Sequence, residues 1–239
     1  MPNAPAGVVQ DEERLLRMAD VVFVTAQALL ETRRKLHSNV HLVPNAADYE
    51  HFARSVPPAP ELVRLPSPII GYVGALAPWV DYELLRFLAE SRPSWSFVFV
   101  GPILSDVSPL RGLANVHLLG YRAYPSLPSY LAGFDVCIIP FRMNDLIEAT
   151  NPVKFYEYLA AGKPVVATPL PEILPFSGVV RVADSPESFL EAVEESITGD
   201  SESRASERRA VARHHTWRAR VEQISAILEE ALERKRAQL

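Results

Sequence analysis

The sequence predicts an α/β fold built on a parallel sheet with helices on both faces. Two observations support this prediction: from Ile69 onward, short apolar runs alternate with helical patterns, and each run is continuously apolar instead of alternating with polar residues. Continuously apolar runs are typical of strands buried on both faces, and their alternation with helices is typical of a parallel sheet. The 239 residues have a 48% hydrophobic composition, which is ample for a packed core.

The first part of the chain predicts a smaller αβαβ unit. A polar helical segment at residues 11–19 precedes the apolar run 21–25, and a helical pattern at 27–37 precedes a second run at 40–43. Prolines are then dense between Arg54 and Pro68, and proline disfavours hydrogen-bonded structure. We therefore predict a first unit over residues 1–53 and a linker over residues 54–68.

The main domain is predicted over residues 69–199, with six strands and four helices. The predicted strands are residues 69–73, 97–100, 116–119, 136–139, 165–167 and 179–182. The predicted helices are residues 82–90, 125–133, 152–161 and 186–198. The single cysteine, Cys137, lies inside the fourth apolar run, so we expect a buried strand residue and no disulfide framework.

Residues 200–239 predict a helical tail. This segment is rich in charge, but it also carries apolar residues at helical spacing, and such a stripe usually packs on a core. These apolar positions are Val211, Trp217, Val221, Ile224, Ile227, Leu228 and Leu232.

Charge and composition exclude several classes of function. The net charge of −5 argues against a nucleic-acid-binding protein, which needs a clustered basic surface. No apolar run approaches the roughly 20 residues needed to span a bilayer, and the first residues do not resemble a signal peptide. The histidines do not have metal-ligand spacing. We therefore expect no transmembrane segment, no bound metal and a cytoplasmic location.

Residues 151–168 hold the most informative motif. Asn151 is a natural N-cap and Pro152 suits the first helical position, so a helix is predicted to begin at the ligand-binding edge of the sheet. Its first amides and Lys154 together form a candidate anion site. Glu157 follows three residues later on the same helical face, where it would reach a sugar hydroxyl. The alternative is a surface ion pair between Lys154 and Glu157.

This motif resembles the donor-binding segment of GT-B fold, nucleotide-sugar-dependent glycosyltransferases of the family-4-like group. The resemblance implies that Glu157 binds the ribose of the nucleotide and that Lys154 meets the donor diphosphate. Many members carry a second glutamate eight positions earlier, where this chain has Ala149. The main domain would then be the Rossmann-like C-terminal half of a GT-B fold, and residues 1–53 a remnant of the N-terminal, acceptor-side domain.

The same resemblance extends to the loop after the first strand of the main domain. It implies that the backbone at Gly74 and Ala75 approaches the diphosphate, although the basic residue usual a few positions later is replaced by the Pro78–Asp81 segment. The alternative is a simple glycine turn in which Trp79 packs on neighbouring helices. Tyr121 would meet the base, the alternative being that it is only packed.

The residues just before and within the first turn of the motif helix complete the implied donor site. Thr150, Asn151 and the amide of Val153 would donate to donor oxygens, with Asn151 as a plain N-cap the alternative. Arg122 and Arg142 follow two strand ends and would each face either a phosphate or solvent. Lys154 and Glu157 are the residues to which the resemblance assigns catalysis.

The implied activity is transfer of a sugar from a nucleoside-diphosphate sugar to an acceptor, a glycan or a lipid-linked glycan. The resemblance implies no cofactor, because the helix dipole and basic side chains neutralise the leaving diphosphate. It also implies that the last helix crosses back to the N-terminal domain, and that the chain works in the cytoplasm or at the inner membrane face.

Three alternatives to a complete transferase remain open from the sequence. The first is a non-catalytic nucleotide-sugar-binding subunit. The second is a fragment that needs a separate N-terminal domain chain; such a fragment would bind nucleotide but would transfer sugar poorly or not at all. A sugar-nucleotide epimerase of the GT-B fold is the third hypothesis.

Overall fold

A computed structural model describes residues 7–237 and confirms the α/β fold. Its main sheet has six parallel strands in the order β5-β4-β3-β6-β7-β8, and a separate two-stranded parallel sheet is formed by β1 and β2. The strands are β1 Val22–Val24, β2 Val40–Leu42, β3 Ile69–Val73, β4 Ser96–Val100, β5 Val116–Gly120, β6 Val136–Ile139, β7 Val165–Ala167 and β8 Arg181–Val182.

The helices of the main domain alternate with its strands along the chain, and α8 follows the last strand, as the alternating pattern predicted. Three of the four predicted main-domain helices agree with the structure to within one residue at each end. The exception begins at Leu127, since Tyr124–Ser126 forms a 3-10 turn before it. The α-helices are α1 Val8–Met18, α2 Gln27–Arg33, α3 Tyr49–Ala53, α4 Tyr82–Ser91, α5 Leu127–Gly133, α6 Asp145–Glu148, α7 Val153–Ala160, α8 Pro186–Thr198, α9 Glu202–Arg213 and α10 Trp217–Arg236.

Burial across the sheet follows the strand order. Every residue of β3, β4, β6 and β7 is buried, whereas β5 and β8 are half-buried. The two half-buried strands are the outer strands of the sheet, which neighbours cover less completely. Cys137 is fully buried in β6, as its position in an apolar run predicted.

The proline-rich segment at residues 54–68 forms no regular helix or strand, but it packs on the main domain. Ala59 and Leu62 are buried, and the Ala59 amide donates a 2.9 Å hydrogen bond to the Ser129 carbonyl in α5. A Cβ at Gly133 would lie only 2.7 Å from Leu62, so the segment follows the surface of α5 closely.

The final helix contacts the first unit of the chain mainly through polar groups. Arg220 Nε donates to the Pro44 carbonyl at 2.8 Å, and Gln223 Nε2 donates to the Leu42 carbonyl at 3.1 Å. Lys235 contacts Asp20 at the far end of α10.

The predicted packing of the whole apolar stripe in the tail is wrong. Val211 in α9 does pack against the main core, and Ile224 and Ile227 are half-buried. However, Trp217, Val221, Leu228 and Leu232 are exposed on α10, because this helix lies beside strand-end carbonyls instead of over an apolar layer. None of the helices that the structure describes is long and apolar enough to cross a membrane.

Candidate donor site

The helix α7 begins at the carboxyl edge of the sheet and is anchored there by a buried tyrosine. The Tyr158 hydroxyl accepts a 2.8 Å hydrogen bond from the Val73 amide, at the end of β3. Tyr158 is fully buried, so its geometry leaves α7 little freedom to shift against β3. The first turn of α7 is therefore held beside the loop that follows β3.

Lys154 projects from this first turn into a gap between two aromatic rings. Its Nζ lies 4.9 Å from the ring centroid of Tyr72 in β3 and 5.0 Å from that of Phe141, which follows β6. Both distances are within cation–π range. Because β3 and β6 are neighbours in the sheet, the strand order itself brings the two rings together around the lysine.

The backbone of Gly74 lies against the Lys154 side chain, in addition to the two rings. Its φ of +146° is rarely adopted by L side chains, and a Cβ there would lie 2.7 Å from Lys154 Cε and 2.8 Å from Nζ. The Tyr72 hydroxyl donates a 2.9 Å hydrogen bond to the Ala75 carbonyl, which fixes the turn. Glycine is thus required for both the backbone conformation and the close approach of the ammonium. The structure therefore brings together three of the predicted site residues, Gly74, Ala75 and Lys154.

The charge of Lys154 is not neutralised within the part of the chain that the structure describes. We find no hydrogen bond or ion pair to its ammonium there, and burial lowers the pKa of Lys154 to about 8, although Glu157 acts in the opposite direction. Burial raises the pKa of Glu157 to about 7, with Lys154 opposing this shift. The alternative of a surface ion pair is therefore wrong: both side chains are half-buried and they do not form a salt bridge.

Asn151 is not the N-cap of α7, contrary to the sequence prediction. Pro152 takes that position, and Asn151 is buried in a network that reaches the first unit of the chain. The Asn151 side-chain oxygen accepts from the Asn45 amide at 3.1 Å, and Asn45 Nδ2 donates to the Asn151 carbonyl at 2.6 Å. Asn151 Nδ2 donates to the Tyr156 hydroxyl and to Glu172.

Glu172 completes this network at the other side. While one carboxylate oxygen accepts from Asn151 at 3.0 Å, the other accepts from the Gln27 amide at 2.6 Å, at the first residue of α2. The network therefore joins the first unit to Asn151, two positions before α7. Asn151 has its side chain fully engaged and is not free to donate to a ligand.

Thr150 also uses its hydroxyl hydrogen internally, donating to the Leu146 carbonyl at 2.6 Å. It follows α6, a short helix that the sequence did not predict, which Asn144 caps through the amides of Leu146 and Ile147. Val153, in contrast, is the first residue of α7, and an amide at this position has no acceptor within the helix.

The arginines at the strand ends do not point to a common site. Arg122 donates to the Leu119 carbonyl and to the Tyr130 hydroxyl, both at 2.6 Å, so it folds back on the main domain instead of facing a phosphate. Arg142 forms an ion pair with Asp81, with 3.8 Å between Nε and Oδ1. Tyr121 is 71% exposed at the end of β5, so the alternative that it is packed is wrong.

Tyr124 is a residue near Glu157 that the sequence analysis missed. Its ring stacks on His51 with a centroid distance of 4.4 Å, and burial raises the pKa of Tyr124 to about 12, with further contributions from Glu157 and Asp48. No local motif marks Tyr124, because its approach to Glu157 depends on how the segment after β5 packs against α3.

Comparison with known proteins now identifies the family. The sequence model described as Glycosyl transferases group 1 matches residues 67–199. A protein of Bacillus subtilis (strain 168), TuaH, whose name assigns it provisionally as a teichuronic acid biosynthesis glycosyltransferase, is 31% identical over 228 residues. That alignment covers 89% of this chain but 57% of TuaH, so the chain spans little more than half the length of this relative.

Solved structures show the same fold. Anabaena HepE in complex with UDP and glucose superposes with a TM-score of 0.70 at 18% identity, covering 95% of this chain and 68% of HepE. A glycosyltransferase from Rickettsia africae superposes with a TM-score of 0.66 at 14% identity, covering 96% and 68% of the two chains. The resemblance to the GT-B fold is thereby confirmed. Because the family match spans more than half of the sequence, the chain belongs to the glycosyl transferases group 1 family.

Proposed function

We propose that this chain binds a nucleoside-diphosphate sugar and provides the donor-binding half of a glycosyl transfer. The observation that supports this most strongly is the Lys154 ammonium, which is half-buried between two rings over the Gly74 turn and lacks a counter-ion among the described residues. A cation placed in this way has its strongest available partner in an anionic ligand. The donor diphosphate is such a ligand.

The residues around Lys154 have separate roles in this proposal. The amides of Val153 and of the Gly74–Ala75 turn hold diphosphate oxygens, while Lys154 stabilises the negative charge that develops as the diphosphate departs. Glu157, one turn further along α7, accepts hydrogen bonds from the ribose hydroxyls, and Tyr121 lies against the base. Catalysis then consists of positioning and charge stabilisation without a bound metal or cofactor.

Sugar transfer requires more than the donor site, and the acceptor is proposed to be a glycan or a lipid-linked glycan. Because the chain spans 57% of TuaH, we propose that a separate N-terminal domain completes the cleft and that this chain alone transfers sugar poorly. The site of action in this proposal is the cytoplasm or the inner membrane face. An epimerase is not favoured, since the matched family consists of glycosyl transferases.

A non-catalytic nucleotide-sugar-binding subunit is the second candidate. It is favoured by Ala149, which cannot replace the glutamate of many relatives, and by Trp79, which packs against the core where a basic residue is usual. Adding the N-terminal half of a relative such as TuaH separates the candidates: a transferase half gains sugar transfer, whereas a binding subunit still binds the donor without transfer.

The test of the proposed function is thermal unfolding of the purified chain with UDP, GDP, ADP, TDP and their glucose conjugates. At a ligand concentration of about 100 times the dissociation constant, a specific ligand adds roughly 2.7 kcal/mol of stability. We expect one base to stabilise the chain clearly more than the others. If every diphosphate leaves the unfolding temperature unchanged in a folded chain, this chain has no donor site of its own.

Donor affinity is expected to fall at alkaline pH. The pKa of Lys154 is lowered to about 8, so its ammonium is lost as the pH rises through that value, whereas the diphosphate diester of a sugar nucleotide keeps its charge. Calorimetric titration should give an affinity at pH 9 about tenfold below that at pH 7. Lys154→Arg keeps a cation at pH 9, so the donor affinity of this variant should not fall between pH 7 and pH 9. A wild-type affinity that is the same at pH 9 as at pH 7 would contradict the role of Lys154.

Gly74→Ala is expected to weaken both folding and donor binding. An alanine at this position would have to keep a φ of +146°, which costs about 1–3 kcal/mol of folding free energy. Its Cβ would lie 2.7 Å from Lys154 Cε and would therefore displace the ammonium. Gly112→Ala is a matched control, since Gly112 also has positive φ, at +81°, but its Cβ would meet no atom within 4 Å. Urea unfolding should show a lower free energy of unfolding for both variants, whereas donor titration should show a lower affinity for Gly74→Ala alone. If Gly74→Ala binds the donor as tightly as Gly112→Ala, the Gly74 contact is unimportant for binding.

A further inference from the structure

A small cleft lies next to Lys154, between the loops that follow β3 and β6 and the short helix α6. Its volume is about 260 Å³, close to the size expected for part of a small-molecule ligand. Apolar side chains form most of its wall: Trp79, Phe141, Leu146, Ile147 and Pro152.

Apart from the indole of Trp79, the described residues that line the cleft include two polar side chains, Thr150 and Lys154, and Thr150 is already engaged. Thr150 donates its hydroxyl hydrogen to the Leu146 carbonyl at 2.6 Å. Lys154 lies at the boundary of the cleft with its ammonium between the Tyr72 and Phe141 rings. The cleft is therefore an apolar compartment with a cation at one end, and a ligand that fits it has an anionic group followed by an apolar group.

The order of residues from Thr150 to Glu157, just before and within α7, indicates which part of the donor occupies this compartment. Glu157 lies one turn beyond Lys154 and does not line the cleft, whereas Pro152 and Thr150 precede Lys154 and do. With the ribose at Glu157 and the diphosphate at Lys154, the next group of the ligand, the sugar, reaches the cleft. This step rests on the proposed function.

From this lining we infer that the donor sugar carries a methyl group, either as a 6-deoxyhexose or as an N-acetyl sugar. A ring bearing only hydroxyl groups would lose hydrogen bonds to water against the apolar wall without recovering them from the protein. A methyl group instead gains from burial beside Leu146 and Trp79. Ala149, at the end of α6, also lacks a carboxylate that would compensate a hydroxyl.

Matched donors test this inference by calorimetric titration of the 239-residue chain. For the base that stabilises the chain best, the 6-deoxyhexose conjugate and the N-acetylhexosamine conjugate are each compared with the hexose conjugate of the same configuration. One of the two methyl-bearing donors should bind about tenfold more tightly than its hexose partner, and which one does so distinguishes the deoxy from the N-acetyl form.

A polar substitution in the cleft provides the second arm. Leu146→Asn should reduce the preference for the methyl-bearing donor to less than about threefold, because it supplies polar groups to a hydroxyl. Leu228→Asn, at a similarly exposed leucine on α10, should leave the preference intact. The inference is overturned if neither methyl-bearing donor binds the wild type more tightly than its hexose partner, or if Leu146→Asn does not change the preference. Either result leaves the proposed function standing. If no nucleoside diphosphate binds, the proposed function itself fails.

Discussion

Lys154→Ala is expected to remove about half or more of the stability that a nucleoside diphosphate gives the chain. A hydrogen bond to a charged group contributes about 1.5–3 kcal/mol, so its loss weakens binding by about 10- to 100-fold. At a ligand concentration that adds about 2.7 kcal/mol to the wild type, a 100-fold weaker variant gains less than about 0.5 kcal/mol. Thermal unfolding across a ligand titration measures both quantities.

The ligand-free Lys154→Ala chain should be at least as stable as the wild type. Burial opposes the charge of Lys154, as its lowered pKa of about 8 shows. This cost offsets the cation–π contacts with Tyr72 and Phe141, so removing the ammonium should not destabilise the ligand-free fold. Lys235→Ala is the matched control, because Lys235 is an exposed lysine that contacts Asp20 at the far end of α10. Undiminished stabilisation of Lys154→Ala by the nucleotide would exclude Lys154 from the site.

Asn151→Ala is expected to produce the largest loss of folding stability, about 2–4 kcal/mol. The substitution leaves the Asn45 amide and the Tyr156 hydroxyl without a partner, and each unsatisfied buried group costs about 1–3 kcal/mol. It also removes one of the two hydrogen bonds of Glu172, which keeps the bond from the Gln27 amide. Urea unfolding measures the change in the free energy of unfolding.

Asn144→Ala is the comparison for this prediction. Asn144 is exposed and caps only the four-residue helix α6, so its loss should cost about 1 kcal/mol or less. If Asn151→Ala costs no more than Asn144→Ala, the network between Asn45, Asn151 and Glu172 does not hold the two parts of the chain together.

The strands of the main sheet could be predicted well because a strand buried on both faces appears in the sequence as a short, continuously apolar run. A strand such as β6, with every residue buried, must be apolar at every position, so its location is visible without any knowledge of its neighbours. The helices between the strands were predicted from apolar residues at helical spacing, except where short 3-10 turns or the four-residue helix α6 interrupt the pattern.

The site residues were predictable only in part, since local sequence does not reveal distant partners. Lys154 and Glu157 stand in a recognisable motif, but the rings around Lys154 come from β3 and from the end of β6, which only the strand order brings together. Asn151 looked like an N-cap because it precedes a helix, whereas its actual partner Asn45 lies 106 positions earlier in the chain. Arg122 likewise pairs with Tyr130 and not with a ligand.

The exposed apolar residues of α10 show a further limit of pattern reading. Their spacing indicates an amphipathic helix correctly, but it does not specify what lies beside the apolar face. In the structure, α10 is positioned by Arg220 and Gln223, which donate to strand-end carbonyls. Polar contacts of this kind have no periodic signature in the sequence.

A crystal structure of the chain with its most stabilising nucleoside diphosphate tests the donor site most directly. We predict diphosphate oxygens within hydrogen-bond distance, about 2.7–3.2 Å, of Lys154 Nζ and of the amides at Gly74 and Val153, with the ribose hydroxyls at Glu157. A nucleotide bound elsewhere, for example in the larger cavity between β8, α8 and α9 that Arg181 and Arg208 line, with Lys154 still free, would contradict the proposed site.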